Sequence, residues 1–292
     1  MKIQSIPHSS YEEQIRIEMV DFYNEATEDY LFWSKDYNMH FGYFIPFKTN
    51  PFKRDSMLNQ MNKQVIKRLN IGKTKHRLVD LGCGMGATMR YALNEYNNVL
   101  AYGVTMSDFQ VKKGNGLLKG KNGIILKENY NNTSFQSNSF NSAVAIESFC
   151  HSGHKYNSLK EMHRLLKPGG RFVMADALLK RDMTQLCKGG KYAYHRLCSH
   201  WNLEKLETPQ FIKKSLEDLG FKNIEIENVS MRVAPSVLHV PFAILGFIIK
   251  KFFGFDNLKK ESSHNLKGSF YALLSGLHMK SFGYYIISAT KR

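Results

Sequence analysis

The run Arg77-Leu78-Val79-Asp80-Leu81-Gly82-Cys83-Gly84-Met85-Gly86-Ala87-Thr88 limits the fold of this chain more than any other stretch. It reads as a buried strand, a glycine turn and the first residues of a helix. Glycines at alternate positions remove the side chains that would hold a ligand away from the backbone. The helix behind the turn offers free N–H groups and the positive end of its dipole. An anionic group, carboxylate or phosphate, suits that end. The spacing is Gly-x-Gly-x-Gly directly after Asp80-Leu81. A dinucleotide fingerprint needs Gly-x-Gly-x-x-Gly and an acid about 20 residues further on. Here the third glycine comes one residue early and the later position holds Thr105. A nicotinamide-dependent oxidoreductase is therefore disfavoured.

From residue 77 onward, apolar runs alternate with helical periodicity. The pattern predicts strands near 77–82, 99–104, 122–127, 142–147, 171–177, 222–228 and 283–290. Helices are predicted near 87–96, 107–118, 156–167 and 208–219. Such alternation is the signature of a parallel sheet covered on both faces. Lys167-Pro168-Gly169-Gly170 stops a helix and turns the chain into the fifth strand. Ahead of the sheet, residues 8–34 and 53–70 read as amphipathic helices. The organisation expected is an N-terminal helical cap over 1–72 and a core over 73–292, with insertions at about 179–207 and 229–282. Ligands bind at the carboxyl ends of the strands in open α/β sheets, so insertions leaving those ends are natural lids.

The string Val79-Asp80-Leu81-Gly82-Cys83-Gly84-Met85-Gly86 resembles the first motif of the class I methyltransferases that use S-adenosyl-L-methionine. Leu165-Leu166-Lys167-Pro168-Gly169-Gly170 resembles another common string of that family. The resemblance implies a Rossmann-like, seven-stranded α/β fold with S-adenosyl-L-methionine as cofactor. It implies that Gly82, Gly84 and Gly86 lie against the methionine part and that Asp80 orients it. Gly103-Val104-Thr105-Met106-Ser107 with Gln110 resembles the variant found in cyclopropane synthases and prenyl C-methyltransferases. Thr105 and Gln110 would then serve the ribose, while Ser107 also suits a helix N-cap. Asn129 would accept from the adenine amino group, and Tyr130 would offer a backbone N–H to the ring.

Two further segments bear on the reaction. Met39-His40-Phe41-Gly42-Tyr43-Phe44 resembles the opening segment of methyltransferases acting on sterols, tocopherols, other prenyl compounds and some small amines. In that group an upstream tyrosine, here Tyr23 or Tyr30, reaches the cofactor carboxylate. Trp33, His40 and Tyr43 then belong to a lid facing the substrate; the alternative is a satellite core under the N-terminal helix. Ile146-Glu147-Ser148-Phe149-Cys150-His151 resembles the corresponding string of sterol side-chain methyltransferases. By that resemblance Glu147 would stabilise a carbocation, and Glu147 or His151 would remove a proton. Faces such as Trp33 or Tyr43 would add cation–π attraction. Alternatively Glu147 hydrogen-bonds only the cofactor amine or a backbone group, and His151 is a loop cap.

Charge and cysteine usage narrow the partners. The net charge is +16, yet the lysines fall in scattered doublets such as Lys112-Lys113 and Lys213-Lys214. That is not a nucleic-acid arm. Cys83, Cys150, Cys187 and Cys198 include no Cys-x-x-Cys pair, so no metal is expected. His195, His200 and Trp201 show no ligand spacing either. The first residues lack the apolar core of a signal peptide, so a cytoplasmic setting is the default. Val233–Ile249 contains no charged residue and includes Pro235 and Pro241. It is shorter than the roughly 20 residues of a membrane span and reads as an interfacial segment, a pocket wall or a core helix. The expected function is methyl transfer from S-adenosylmethionine to a lipophilic small molecule, favoured as C-methylation of an isoprenoid or sterol-like alkene. The runner-up is O- or N-methylation of a phenol, quinone precursor or small amine. A non-catalytic binder that keeps the fold is the remaining class. No nucleic acid is expected as partner, while peripheral membrane contact and a homo-oligomer stay open.

Overall fold

A computed structural model of the chain describes Val20, Leu31, residues 33–253 and residues 260–292. Of the helix expected over 8–34 only Val20, Leu31, Trp33 and Ser34 are described: Val20 is helical, while Trp33 and Ser34 already lie in a turn and a loop; Tyr23 and Tyr30 lie outside the described residues. The described elements run α1 (Arg54–Lys67), β1 (His76–Leu81), α2 (Ala87–Glu95), β2 (Val99–Thr105), α3 (Asp108–Leu117) and β3 (Gly123–Lys127). They continue with β4 (Phe140–Ile146), α4 (Lys155–Leu165), β5 (Leu166–Leu179), α5 (Lys188–His200), α6 (Pro209–Asp218) and β6 (Phe221–Asn228). α7 (Ser230–Val237), α8 (Val240–Phe253), α9 (Lys260–Leu277) and β7 (Phe282–Lys291) complete the order.

The strands form one seven-stranded sheet in the order β3-β2-β1-β4-β5-β7-β6. β1 to β5 are parallel, while β7 pairs antiparallel with both β5 and β6. The order reverses between β1 and β4, where Asp80 stands opposite Val144. A crevice outside such a switch point is where this class of sheet binds its ligands.

Both faces of the sheet are covered, which is why its strands read as nearly continuous apolar runs. Leu78, Val144, Val173 and Ile286 pack on one face with Met61, Val65 and Ile66 of α1. Val79, Ala143, Phe172 and Ile287 pack on the other with Leu159 and Met162 of α4 and Ile212 of α6. The helix at 54–67 thus shares the core of the sheet. Local chemistry sets the helix starts. Ser107 caps α3 by accepting from the Gln110 N–H at 3.2 Å, and Thr208 caps α6 in the same way ahead of Pro209.

The pairing around Pro168 refines the expected turn. Phe140 already pairs with Leu166, and Ser142 next pairs with Arg171. Lys167-Pro168-Gly169-Gly170 is therefore an irregularity within β5, placed where a proline without an N–H is tolerated. The two insertions pack on each other. Leu179, Leu186, Tyr194, Leu197 and Phe282 make a third core, flanked by Trp201 of the first insertion and Tyr271 of the second. α5 lies along α9, and a Cβ on Gly268 would fall 2.2 Å from the Trp201 indole.

Candidate active site

The carboxyl ends of β1, β2 and β4 open on a cavity of about 960 Å³. Asp80, Gly82, Gly84, Thr105, Gln110, Asn129, Tyr130, Glu147, His151 and His40 all line it. Residues from five separate segments singled out in the sequence therefore meet at one cavity. Gly86 stands behind the wall as the N-cap of α2, with φ 74°. Trp33 and Tyr43 do not line the cavity, in contrast to the substrate-facing placement expected of them. The Trp33 indole N–H donates to the His40 carbonyl at 3.0 Å, and the Arg54 guanidinium sits 4.7 Å from its ring. Tyr43 packs against the core with α1. Trp33 is thus held beside Arg54, and Tyr43 packs on the main core of the sheet.

The turn itself needs glycine at Gly82. Its φ is 81°, and a Cβ there would meet Ser148 Cβ at 2.4 Å. Ser148 follows the end of β4 and donates from its hydroxyl to the Leu81 carbonyl at 2.6 Å. The Tyr130 hydroxyl donates to the Ser148 carbonyl at 2.6 Å. The ends of β1 and β4 and the loop after β3 are thus locked together under the cavity. On the opposite side, Asn62 of α1 accepts at Oδ1 from the Thr88 hydroxyl at 2.8 Å and donates to Asn38 Oδ1 at 2.8 Å. The buried His40 ring lies with Nδ1 at 2.9 Å from the Phe41 carbonyl and Nε2 at 3.1 Å from Asn62 Oδ1. Burial holds its pKa below the usual imidazole value. His40 is therefore engaged in pinning the 38–41 segment to α1 and α2.

Asp80 is 3 % exposed and no described residue hydrogen-bonds its carboxylate; desolvation pushes its pKa up to about 7. A buried carboxylate without a partner favours a cationic or N–H donor ligand. The ammonium of an amino-acid moiety beside the glycine turn is such a group. Further along the cavity, the Thr105 hydroxyl donates to Gln110 Oε1 at 2.5 Å, and both side chains are buried. Asn129 Oδ1 accepts from the Asn131 N–H at 3.0 Å, which fixes the loop after β3. This set of groups fits S-adenosylmethionine: an orphaned acid at the amino-acid end, hydroxyl and amide groups at the ribose end, and an asparagine loop beyond.

Glu147 follows β4 with φ 46°, a left-handed conformation uncommon for a residue with a Cβ. Several bonds hold it there. Its N–H donates to the Ala175 carbonyl at 2.8 Å. Its Oε1 accepts from the Phe41 N–H at 2.6 Å and from the Tyr284 hydroxyl at 2.7 Å. No described residue hydrogen-bonds Oε2. Burial pushes the Glu147 pKa up to about 8 against these two donors. Burial, with the Lys155 charge, pushes His151 down to about 3. His151 is thus neutral and a poor proton acceptor beside Glu147. Asp176, pushed up to about 6 by burial, accepts from the Cys150 and Ala177 N–H groups at 2.9 and 2.8 Å. Lys155 donates to the Cys150 carbonyl at 2.7 Å, completing the floor behind His151. Sequence reasoning missed Tyr284, Ser148 and Asp176. The first lies 137 positions from its partner, and no local signal points to it. Among the described residues no group of acidic, cysteine or histidine side chains has metal-site geometry.

Comparison with known proteins agrees with this geometry. Residues 79–174 match the family described as "Methyltransferase domain". The chain is 29 % identical over 157 residues to 24-methylenesterol C-methyltransferase 2 of Oryza sativa subsp. japonica, covering 52 % of this chain and 41 % of that protein. It is 28 % identical over 178 residues to a probable chloroplastic tocopherol O-methyltransferase of the same organism, covering 56 % of this chain and 47 % of the relative. The chain thus spans under half the length of these two relatives. A solved geranyl diphosphate methyltransferase, in complex with geranyl diphosphate and sinefungin, superposes with a TM-score of 0.73 at 16 % identity. That alignment covers 95 % of this chain and 98 % of the other, and it shows a shared fold. The glycine turn, the unpartnered Asp80 and the matched segment lead to one conclusion: the chain carries a methyltransferase domain of the class I, S-adenosylmethionine-dependent fold.

Proposed function

We propose that this protein transfers a methyl group from S-adenosylmethionine to a lipophilic small molecule, at a carbon of an isoprenoid or sterol-like alkene. The observation that carries the reading is Glu147: a carboxyl at the carboxyl end of β4, held on one oxygen by Phe41 and Tyr284, with no described bond on the other. Bound S-adenosylmethionine supplies an electrophilic methyl group on a sulfonium. An alkene that gains a methyl cation becomes a carbocation and must then shed a proton. Glu147 can face that charge and take the proton on Oε2. With a pKa of about 8 it is a stronger base than an ordinary carboxylate, and a cation beside it draws it into the ionised form. The weakly basic His151 contributes to the wall of the site, not to proton removal.

The likeness to a tocopherol O-methyltransferase supports a second reading, methyl transfer to a phenol or quinol oxygen. There the same carboxylate would accept the hydroxyl proton and no carbocation would form. The experiment is turnover with methyl-labelled S-adenosylmethionine and a panel of prenyl diphosphates, sterols and quinols deuterated at the reacting alkene. Carbon methylation with loss of the deuterium is expected, and Glu147→Gln should lower turnover by about 100-fold or more while cofactor affinity holds. Methyl transfer to oxygen with the deuterium retained establishes the second reading. No transfer to any class overturns both.

A further inference from the structure

The segment from Ser230 to Ile249 is apolar enough, and at 20 residues long enough, to cross a bilayer, yet only 22 % of it is buried. It is not a wall of the cavity. Nor is it one straight span, because the chain turns at Leu238-His239 between α7 and α8. α7 is fastened to the body by hydrogen bonds. The Ser236 hydroxyl accepts from the Gly42 N–H at 2.7 Å, and the Arg232 carbonyl accepts from the Phe44 N–H at 2.7 Å. His239 Nε2 donates to the Pro51 carbonyl at 2.6 Å.

These bonds lay the 44–53 loop along α7 and bring two sets of exposed apolar side chains together. Phe47 is fully exposed, and Phe52, next to Pro51, is 89 % exposed. Phe242 and Leu238, flanking His239, are 73 % and 59 % exposed, and Leu245 follows one turn later. A soluble protein seldom presents three phenylalanines to water in one region. Lys48, Lys53 and Arg232 are exposed among them. Neither 41–54 nor 229–253 contains an Asp or Glu, and Lys250-Lys251 follow in sequence.

We infer that this face, the 44–53 loop with α7 and the first half of α8, docks on an anionic phospholipid surface. Apolar and aromatic side chains enter the acyl boundary while a basic rim meets the headgroups. The charge argues against a second copy of this chain as occupant. A two-fold contact would set Lys48, Lys53 and Arg232 against their own equivalents. Docking by a face that is pinned through Gly42 and Phe41 would also bring the surface within one residue of the Glu147 hydrogen bond.

The test is sedimentation of the full chain with phosphatidylcholine vesicles, with and without phosphatidylserine. Wild type should pellet with the phosphatidylserine vesicles at low salt and release as salt rises. Phe52→Ser and Phe242→Ser should each weaken binding by about tenfold, with unchanged circular dichroism and melting temperature. Lys48→Glu with Lys53→Glu should abolish the preference for phosphatidylserine. The inference is overturned if wild type stays in the supernatant. It is also overturned if the variants bind as wild type does, or if Phe242→Ser converts a dimer to a monomer that wild-type vesicle binding does not parallel.

Discussion

The Tyr284 hydroxyl, on the last strand of the sheet, donates a 2.7 Å hydrogen bond to Glu147 Oε1, one residue past the end of β4. The two residues meet because β7 runs antiparallel beside β5, and their bond works against the burial that raises the Glu147 pKa. Tyr284→Phe removes the donor and keeps the ring that packs in the core. A hydrogen bond to a carboxylate contributes about 1.5–3 kcal/mol, so the Glu147 pKa should rise by about one unit or more. The rising limb of the pH–rate profile should move to higher pH by that amount, with cofactor affinity unchanged by calorimetry. An unmoved profile would place Glu147 outside the proton transfer.

Gly82 and Gly84 should respond differently to alanine. At Gly82 the new Cβ meets Ser148 Cβ at 2.4 Å on a floor that the Ser148–Leu81 bond holds rigid. The cost should be about 2–4 kcal/mol from backbone strain and overpacking, read as a lower urea midpoint. At Gly84 the Cβ meets only the Met39 sulfur, at 3.0 Å, the end of a flexible side chain. Gly84→Ala should cost about 1 kcal/mol of stability and show its effect in cofactor affinity, since Gly84 lines the cavity.

Cofactor binding should release a proton. Asp80, with a pKa near 7, holds its proton in the free protein on the acid side of that value. A cation placed against it favours the ionised form. Calorimetry at about pH 6, repeated in buffers of different ionisation enthalpy, should show up to about one proton released per ligand. The release should fade above about pH 8 and shrink in Asp80→Asn. Equal release in that variant would shift the effect to Glu147.

The free protein should lose stability as pH rises through neutrality. Asp80, Asp176 and Glu147 have folded-state pKa values of about 7, 6 and 8, all raised by burial. Their contribution is fully present below their unfolded values and is lost as pH climbs through the folded ones. His151, lowered to about 3, acts in the opposite sense and penalises the fold as pH falls below its unfolded value of 6.5. The three carboxyls outweigh the one histidine, so on these groups the melting temperature should decline as pH rises from about 5 toward 8. Asp80→Asn should flatten part of the decline; a melting temperature that rises over that interval would contradict these burial shifts.

What the sequence reveals of this molecule is what short-range chemistry controls. The glycine turn, the Ser107 cap with Gln110 behind it, and the strand ends at Thr105 and Glu147 all follow from residues within a few positions of each other. Tyr284 and Asp176 do not, because strand order and antiparallel pairing bring them in from other segments. The aromatics Trp33 and Tyr43 show the converse limit. Large rings signal burial without saying whether they face a ligand or a core, and here Arg54 and α1 claim them. The stretch at Val233–Ile249 looked too short for a bilayer span, yet with Ser230–Arg232 it reaches that length. Its seating depends on a tertiary fact, the hydrogen bonds that tie α7 and His239 to Gly42, Phe44 and Pro51.

The first insertion begins and the second ends at one rung of the sheet, where Leu179 at the end of β5 pairs directly with Phe282 at the start of β7. Beyond that rung α5 lies along α9, and Trp201 after the one helix occupies the space that Gly268 of the other leaves open. The two helices are therefore a matched pair. Exchanging either alone with that of a related domain would set the indole against a backbone that has not been hollowed to receive it.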